Sequence, residues 1–166
     1  MKYPEDYINK IICGDCLEVM KEMPDKSVDL IVTSPPYNVG IAYDNHNDKM
    51  PLANYEFWLN AKLEECIRLL ADGGHLIVQV ANTGRNPYLH LSGMIAYLLR
   101  DKIRTVGEII WIKFPTGATS WGSWMSPNSP CIRDEHEYIL VFRKEGKRDG
   151  ISDITKQEFM DYTKSI

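Results

Sequence analysis

Residues 27–34 read SVDLIVTS, an apolar, β-branched run that ends against Pro35-Pro36. With no polar face of its own, such a run predicts a parallel strand buried on both sides, and a parallel sheet needs helices to cover it. The prolines stop the strand sharply, because neither can donate a ladder hydrogen bond.

The rest of the chain supplies those helices. CLEVMKEMPD places Leu17, Met20 and Met23 at helical spacing until Pro24 ends the pattern. NYEFWLNAKLEECIRLLADGG carries Leu59, Leu63, Ile67 and Leu70 on one face, with Gly73-Gly74 as its stop. LSGMIAYLLRDK follows with Leu91, Met94, Ile95, Leu98 and Leu99. YINKIICGD is a short apolar run read as a strand, and HLIVQVA, VGEIIWIKF and EYILVFRK are further strands. The last two have no helical pattern between them, which predicts an antiparallel pair at the sheet edge. The expectation is an α/β fold with a mostly parallel sheet. Open α/β sheets bind ligands beyond the carboxyl ends of their strands, which is where Thr33-Ser34-Pro35-Pro36-Tyr37 falls.

Two connections stand out. Asn38 to about Leu52, centred on YDNHNDK, is polar and turn-rich. PTGATSWGSWMSPNSPCIRDEH is long for a compact domain, which favours a functional loop, and Trp121 and Trp124 give it apolar surface that seeks a partner. At 166 residues and 44% hydrophobic, the chain has enough apolar mass for one domain with a core. Its net charge of −4 excludes a global positive field for nucleic acid. RKEGKR (Arg143 to Arg148) is a local basic run of the kind that more often forms a solvated turn. No stretch approaches a membrane span or a signal-peptide core, so the expected place is the cytoplasm, with no membrane partner. Cys13 and Cys16 form a C-x-x-C with no second ligand pair, so no metal site is expected.

The proline turn suggests its own chemistry. Its stiff backbone aims carbonyls outward, Ser34 adds a hydroxyl acceptor, and Tyr37 adds a flat face. A group that lies flat and donates two hydrogens suits such a site: the exocyclic amine of a nucleobase. That nitrogen is a poor nucleophile because its lone pair is delocalised into the ring. Hydrogen bonds to the Ser34 hydroxyl and the Pro35 carbonyl favour a pyramidal nitrogen with its lone pair aimed outward. Stacking on Tyr37 is worth about 1–3 kcal/mol, and positioning with polarisation does most of the rest. A base reaches such a site only by leaving the duplex.

TSPPYN resembles motif IV of the amino-group DNA methyltransferases, which carry (D/N/S)-P-P-(Y/F/W). IICGDCLEVMKEMPDKSVDLIVTSPPYNVG resembles the opening of the β-type circular permutation of that family, in which the catalytic half comes first. LLADGGHLIVQV, VGEIIWIKF and HEYILVFRK resemble the strands that follow, so the likeness covers nearly the whole chain. It implies a Rossmann-like methyltransferase sheet, a restriction-modification setting, DNA as partner and S-adenosyl-L-methionine as cofactor. Ser34 in the first position resembles members that methylate cytosine N4; adenine N6 on the same scaffold is the alternative. From a different class, a non-catalytic fragment that binds nucleic acid or a partner through the tryptophan loop also remains open.

The resemblance also assigns residues. Ser34, Pro35, Pro36 and Tyr37 match the catalytic motif. Asp15 of the GD turn, with Cys16, Thr33 and Ser34, matches the cofactor side, although Asp15 also suits a helix N-cap. Asn38 is expected to steady the turn or the base. Tyr43, Asp44 and His46 lie where substrate contacts form, with His46 read as solvent-exposed. Trp121, Trp124 and Arg133 border the DNA in this reading, and His136-Glu137 are structural. The F-x-G-x-G motif that binds the cofactor late in this permutation is absent. Residues 1–150 are therefore expected to be a catalytic half, and 151–166 the start of a target-recognition or linking segment. The sheet is then incomplete without a C-terminal half or a complementary chain, and this chain alone is expected to be inactive. Exposed strand edges would favour self-association, with a homodimer as one outcome.

Overall fold

The computed structural model describes residues 2–83, 88–113 and 136–147; Trp121, Trp124, Arg133 and the segment from 151 onward lie outside them. Seven elements follow in order: α1 (Cys16–Lys21), β1 (Val28–Thr33), α2 (Leu52–Leu69), β2 (Leu70–Val80), α3 (Leu91–Leu99), β3 (Arg104–Ile112) and β4 (His136–Arg143). The four strands form one sheet in the order β1-β2-β4-β3. β1 and β2 pair in parallel, with α2 as the crossover. β4 pairs antiparallel with β2 and with β3, so the expected antiparallel strands are present and the sheet is mixed.

Period and burial agree in the core. Tyr55, Leu59, Leu63 and Cys66 form the buried stripe of α2, and Leu91, Ile95 and Leu99 that of α3. Both stripes pack with Leu76, Val78 and Val80 of β2 and Leu140 and Phe142 of β4. The register puts these strand residues on one face, since Leu76 pairs with Phe142 and Val78 with Leu140. Each buried Leu or Phe contributes about 1.5–3 kcal/mol relative to exposure. α1 is too short to hold itself. Arg68 of α2 pins it, donating to the carbonyls of Met20 (2.6 Å) and Met23 (2.9 Å) while Glu65 holds the guanidinium at 2.9 Å.

Three expectations are corrected. β1 is not buried on both faces: it is an edge strand of the described sheet, and Leu30 and Val32 are 54% and 65% exposed. Ile31 and Thr33 face the helices, but nothing described covers the other side. YINKIICGD forms no strand; residues 3–9 are turns and Ile11 is fully exposed, because no described strand lies beside it to pair. Gly73-Gly74 do not end α2. The helix stops at Leu69, and Leu70 is already extended and pairs with Val28. The register then shifts opposite Asp29, and the glycines serve that crowded crossing. A Cβ on Gly74 would lie 2.9 Å from the carbonyl oxygens of Ala71 and Asp29.

Candidate active site

A cavity of roughly 800 Å³ opens where the carboxyl end of β1 meets the start of α1. A volume of that size suits a ligand as large as a nucleoside derivative. Thr33, Ser34, Pro35 and Pro36 line one side, Cys13 to Cys16 a second, and Trp58 and Lys62 of α2 a third. The first of these groups comes from the strand end that the sequence singled out. Ile31, Leu59 and Leu63 give it an apolar floor.

Asp15 is the N-cap of α1, and its side chain accepts from the Leu17 N–H at 2.7 Å. That bond first, with help from Lys62 against partial burial, holds the carboxyl below its ordinary range. The capping role is thus realised, and the same residue faces the cavity. Lys62 reaches Asp15 at 3.4 Å and lies 5.0 Å from the centre of the Trp58 ring, a cation held against an aromatic face. Its side chain is only 13% exposed. Lys62 and Trp58 stand four residues apart on α2, so the helical period that marks the core stripe also places them together.

The proline turn is held from behind. The Tyr55 hydroxyl, fully buried, donates to the Pro36 carbonyl at 2.7 Å. The Pro36 carbonyl is thus engaged, while Ser34 beside it is exposed. Tyr37 does not line the cavity: its ring is half-buried against the core, and its hydroxyl lies 3.3 Å from Ser34 Oγ. Asn38 has φ of +58°, is 2% exposed, and exchanges hydrogen bonds with the Met50 main chain through both ends of its amide. It steadies the turn.

The connection after Asn38 is more ordered than its polar sequence suggests. Gly40 and Ala42 bond back to Asp48 and Asn47, making a small hairpin. Its tip, Tyr43 to His46, lines the cavity. His46 is not the solvent-exposed residue expected. Its side chain is 19% exposed, because the ring packs 4.6 Å from that of Trp58 and within 5.9 Å of Tyr43. Tyr43 remains half-exposed at the rim. At the other end of β4, Glu137 is 6% exposed; burial raises its carboxyl, but Lys113 and Gln79 outweigh that and hold it low. The Lys113–Glu137 pair thus joins the end of β3 to the start of β4.

Comparison with known proteins gives the family and the fold. A family model for DNA methylase, of the N6/N4 group, matches residues 28–165. The type II methyltransferase M.MjaVI of Methanocaldococcus jannaschii is 37% identical over 164 residues, covering 94% of this chain and 82% of its own. The structure of TTHA0409 from Thermus thermophilus, described as a DNA modification methylase and complexed with S-adenosyl-L-methionine, superposes with a TM-score of 0.62 at 28% identity. That match covers 89% of this chain and 63% of the Thermus chain. The cytosine-N4-specific PvuII DNA methyltransferase gives the same TM-score of 0.62 at 19% identity, over 87% of this chain and 51% of that one, a likeness of fold alone. The chain thus spans about three-fifths or less of these two solved enzymes and most of M.MjaVI.

Proposed function

The chain belongs to the N6/N4 family of DNA methylases, and on that premise we propose that it carries the target-amine half of an S-adenosyl-L-methionine-dependent DNA methyltransferase acting on cytosine N4. The observation that carries this reading is that Asp15 and the Ser34-Pro35 turn, from separate elements, line one cavity. Bound S-adenosyl-L-methionine supplies an electrophilic methyl group on a positively charged sulfur. The donor set fits such a ligand: a carboxylate and the partly buried Lys62 ammonium for its polar groups, hydroxyls at Thr33 and Ser34, and apolar and aromatic walls.

The chain's own residues then divide the work. Ser34 Oγ and the Pro35 carbonyl accept the two amine hydrogens of an extruded base. The Tyr55 bond withdraws the Pro36 carbonyl from competition and fixes the direction of its neighbour. The amine nitrogen is thereby held pyramidal, its lone pair facing the cavity, and needs no strong base, because its extra proton can leave late through Ser34 Oγ to water. Ser34 in the first position of the motif resembles the members that methylate cytosine N4, and that resemblance supports cytosine here. Trp121, Trp124 and Arg133 belong to this reading as DNA contacts, and a C-terminal half or a complementary chain belongs to it as the source of the glycine motif.

Methyl transfer from labelled S-adenosyl-L-methionine to unmethylated DNA tests it, with this chain alone and mixed with a second polypeptide carrying the F-x-G-x-G motif. Label on cytosine N4 only in the mixture is the expected result. Label on adenine would keep the chemistry and overturn the assignment from Ser34. Absence of transfer with both chains folded and cofactor bound would leave a DNA-binding or partner-binding fragment as the better account.

A further inference from the structure

Asp48 has no place in the chemistry above, yet it is the most heavily bonded carboxylate beside the turn. Its side chain is fully buried. Oδ1 accepts from the Asn38 N–H at 2.7 Å, and Oδ2 accepts from the N–H groups of Val39 (3.0 Å), Gly40 (2.9 Å) and Ile41 (2.9 Å). Four consecutive main-chain donors therefore converge on one carboxylate. They begin one residue after Tyr37 and continue into the first strand of the hairpin that carries Tyr43 and His46 to the cavity. Such a concave run of N–H groups is a site for a full negative charge. Asn38 and Gly40, with φ of +58° and +90°, give the chain the curvature to wrap it.

We infer that Asp48 is a positioning residue for methyl transfer. Its charge ties the exit of the proline turn to the base of the hairpin, so that the Pro35 carbonyl, the Tyr37 ring and the hairpin tip move as one unit. The turn is then held at two points, by Tyr55 on Pro36 before it and by Asp48 on Asn38 to Ile41 after it. This inference rests on the proposed reading of the Ser34-Pro35 turn. The amide of an Asn at this position cannot replace the carboxylate. With its nitrogen in the place of Oδ2, three N–H donors would face another donor; flipped, it would lose the bond to Asn38 and keep the rest.

The test compares wild type, Asp48→Asn, Asp48→Glu and the core control Leu99→Ala in the methyl-transfer assay with the complementing polypeptide, alongside amide hydrogen exchange. The expected result for Asp48→Asn is a kcat lowered about 100-fold, the scale of a misplacement near 1 Å. KM for S-adenosyl-L-methionine should stay within about threefold, and the amides of residues 38–41 should exchange faster while those of β2 do not. Asp48→Glu, which keeps the charge one methylene away, should recover part of the loss and serves if the Asn variant folds poorly. An unchanged kcat with faster exchange overturns the inference. Equal losses in kcat and affinity, together with the melting shift seen in Leu99→Ala, overturn it in favour of a merely structural anchor. A wild type that transfers no methyl group overturns the reading of the site, and is told apart because every variant is then equally silent.

Discussion

Individual side chains near the cavity have separable duties. Tyr37 offers both a ring and a hydroxyl, and the hydroxyl lies 3.3 Å from Ser34 Oγ. Tyr37→Phe is expected to cost threefold or less in kcat, on the order of 0.5 kcal/mol for a long exposed hydrogen bond. Tyr37→Ala also removes a ring that is half-buried against the core, so a lower melting temperature, from a loss of about 1–2 kcal/mol, should accompany any fall in rate. Cysteines divide by burial. Cys13 and Cys16 are exposed, whereas burial first, then the neighbouring Cys16 and Glu65, pushes the Cys66 thiol up to about 11. The thiolate is the nucleophile and the thiol holds its proton at pH 8. Iodoacetamide at that pH should therefore label Cys13 and Cys16 well before Cys66, as peptide mass spectrometry would read. Equal labelling would mean that α2 opens readily.

Among elements, α1 depends most on its neighbour. It has a good start in Asp15 but no buried residue, and its last carbonyls bond to the Arg68 guanidinium. Arg68→Ala removes the side-chain donor to the Met23 carbonyl and leaves the Met20 carbonyl only its bond from the Met23 N–H, a loss of about 1–3 kcal/mol. The urea midpoint should fall by that loss divided by the unchanged slope, and exchange should quicken in α1 before α2. Because α1 carries Asp15 and Cys16 to the cavity, the same variant should also weaken cofactor binding. The period of α2 was legible in sequence and its boundary was not. Leu59, Leu63 and Ile67 announce the helix, whereas its end is set by the pairing of Leu70 with Val28, a contact made by a strand more than forty residues away in sequence. Lys144, from beyond β4, then bonds the Ile67 and Leu70 carbonyls at 2.8 and 2.7 Å and finishes the helix end.

At the scale of the whole molecule, the sheet has one covered side among the described residues. Helices cover Leu76, Val78 and Phe142, while Leu30 and Val32 of β1 and Ile109 of β3 stay more than half exposed on the other face. An apolar edge strand of this kind is a pairing site. Sedimentation velocity should show association that grows with protein concentration, and Val32→Lys should reduce it without changing the fold. A monodisperse monomer at high concentration would show that β1 is adequately covered. The sequence by itself determined the alternation of strand and helix, the antiparallel pairing of β3 with β4, and the presentation of Ser34-Pro35-Pro36 at a strand end. Each of these follows from local period or backbone stiffness, which neighbouring residues decide. Tertiary structure alone decided that, among the described residues, β1 is an edge and YINKIICGD pairs with no strand, and that Asp48, Tyr55, Trp58 and Lys62 gather behind and beside the turn. Those outcomes depend on which distant groups meet, and hydrogen bonds or burial between residues far apart in the chain leave no periodic mark in the sequence.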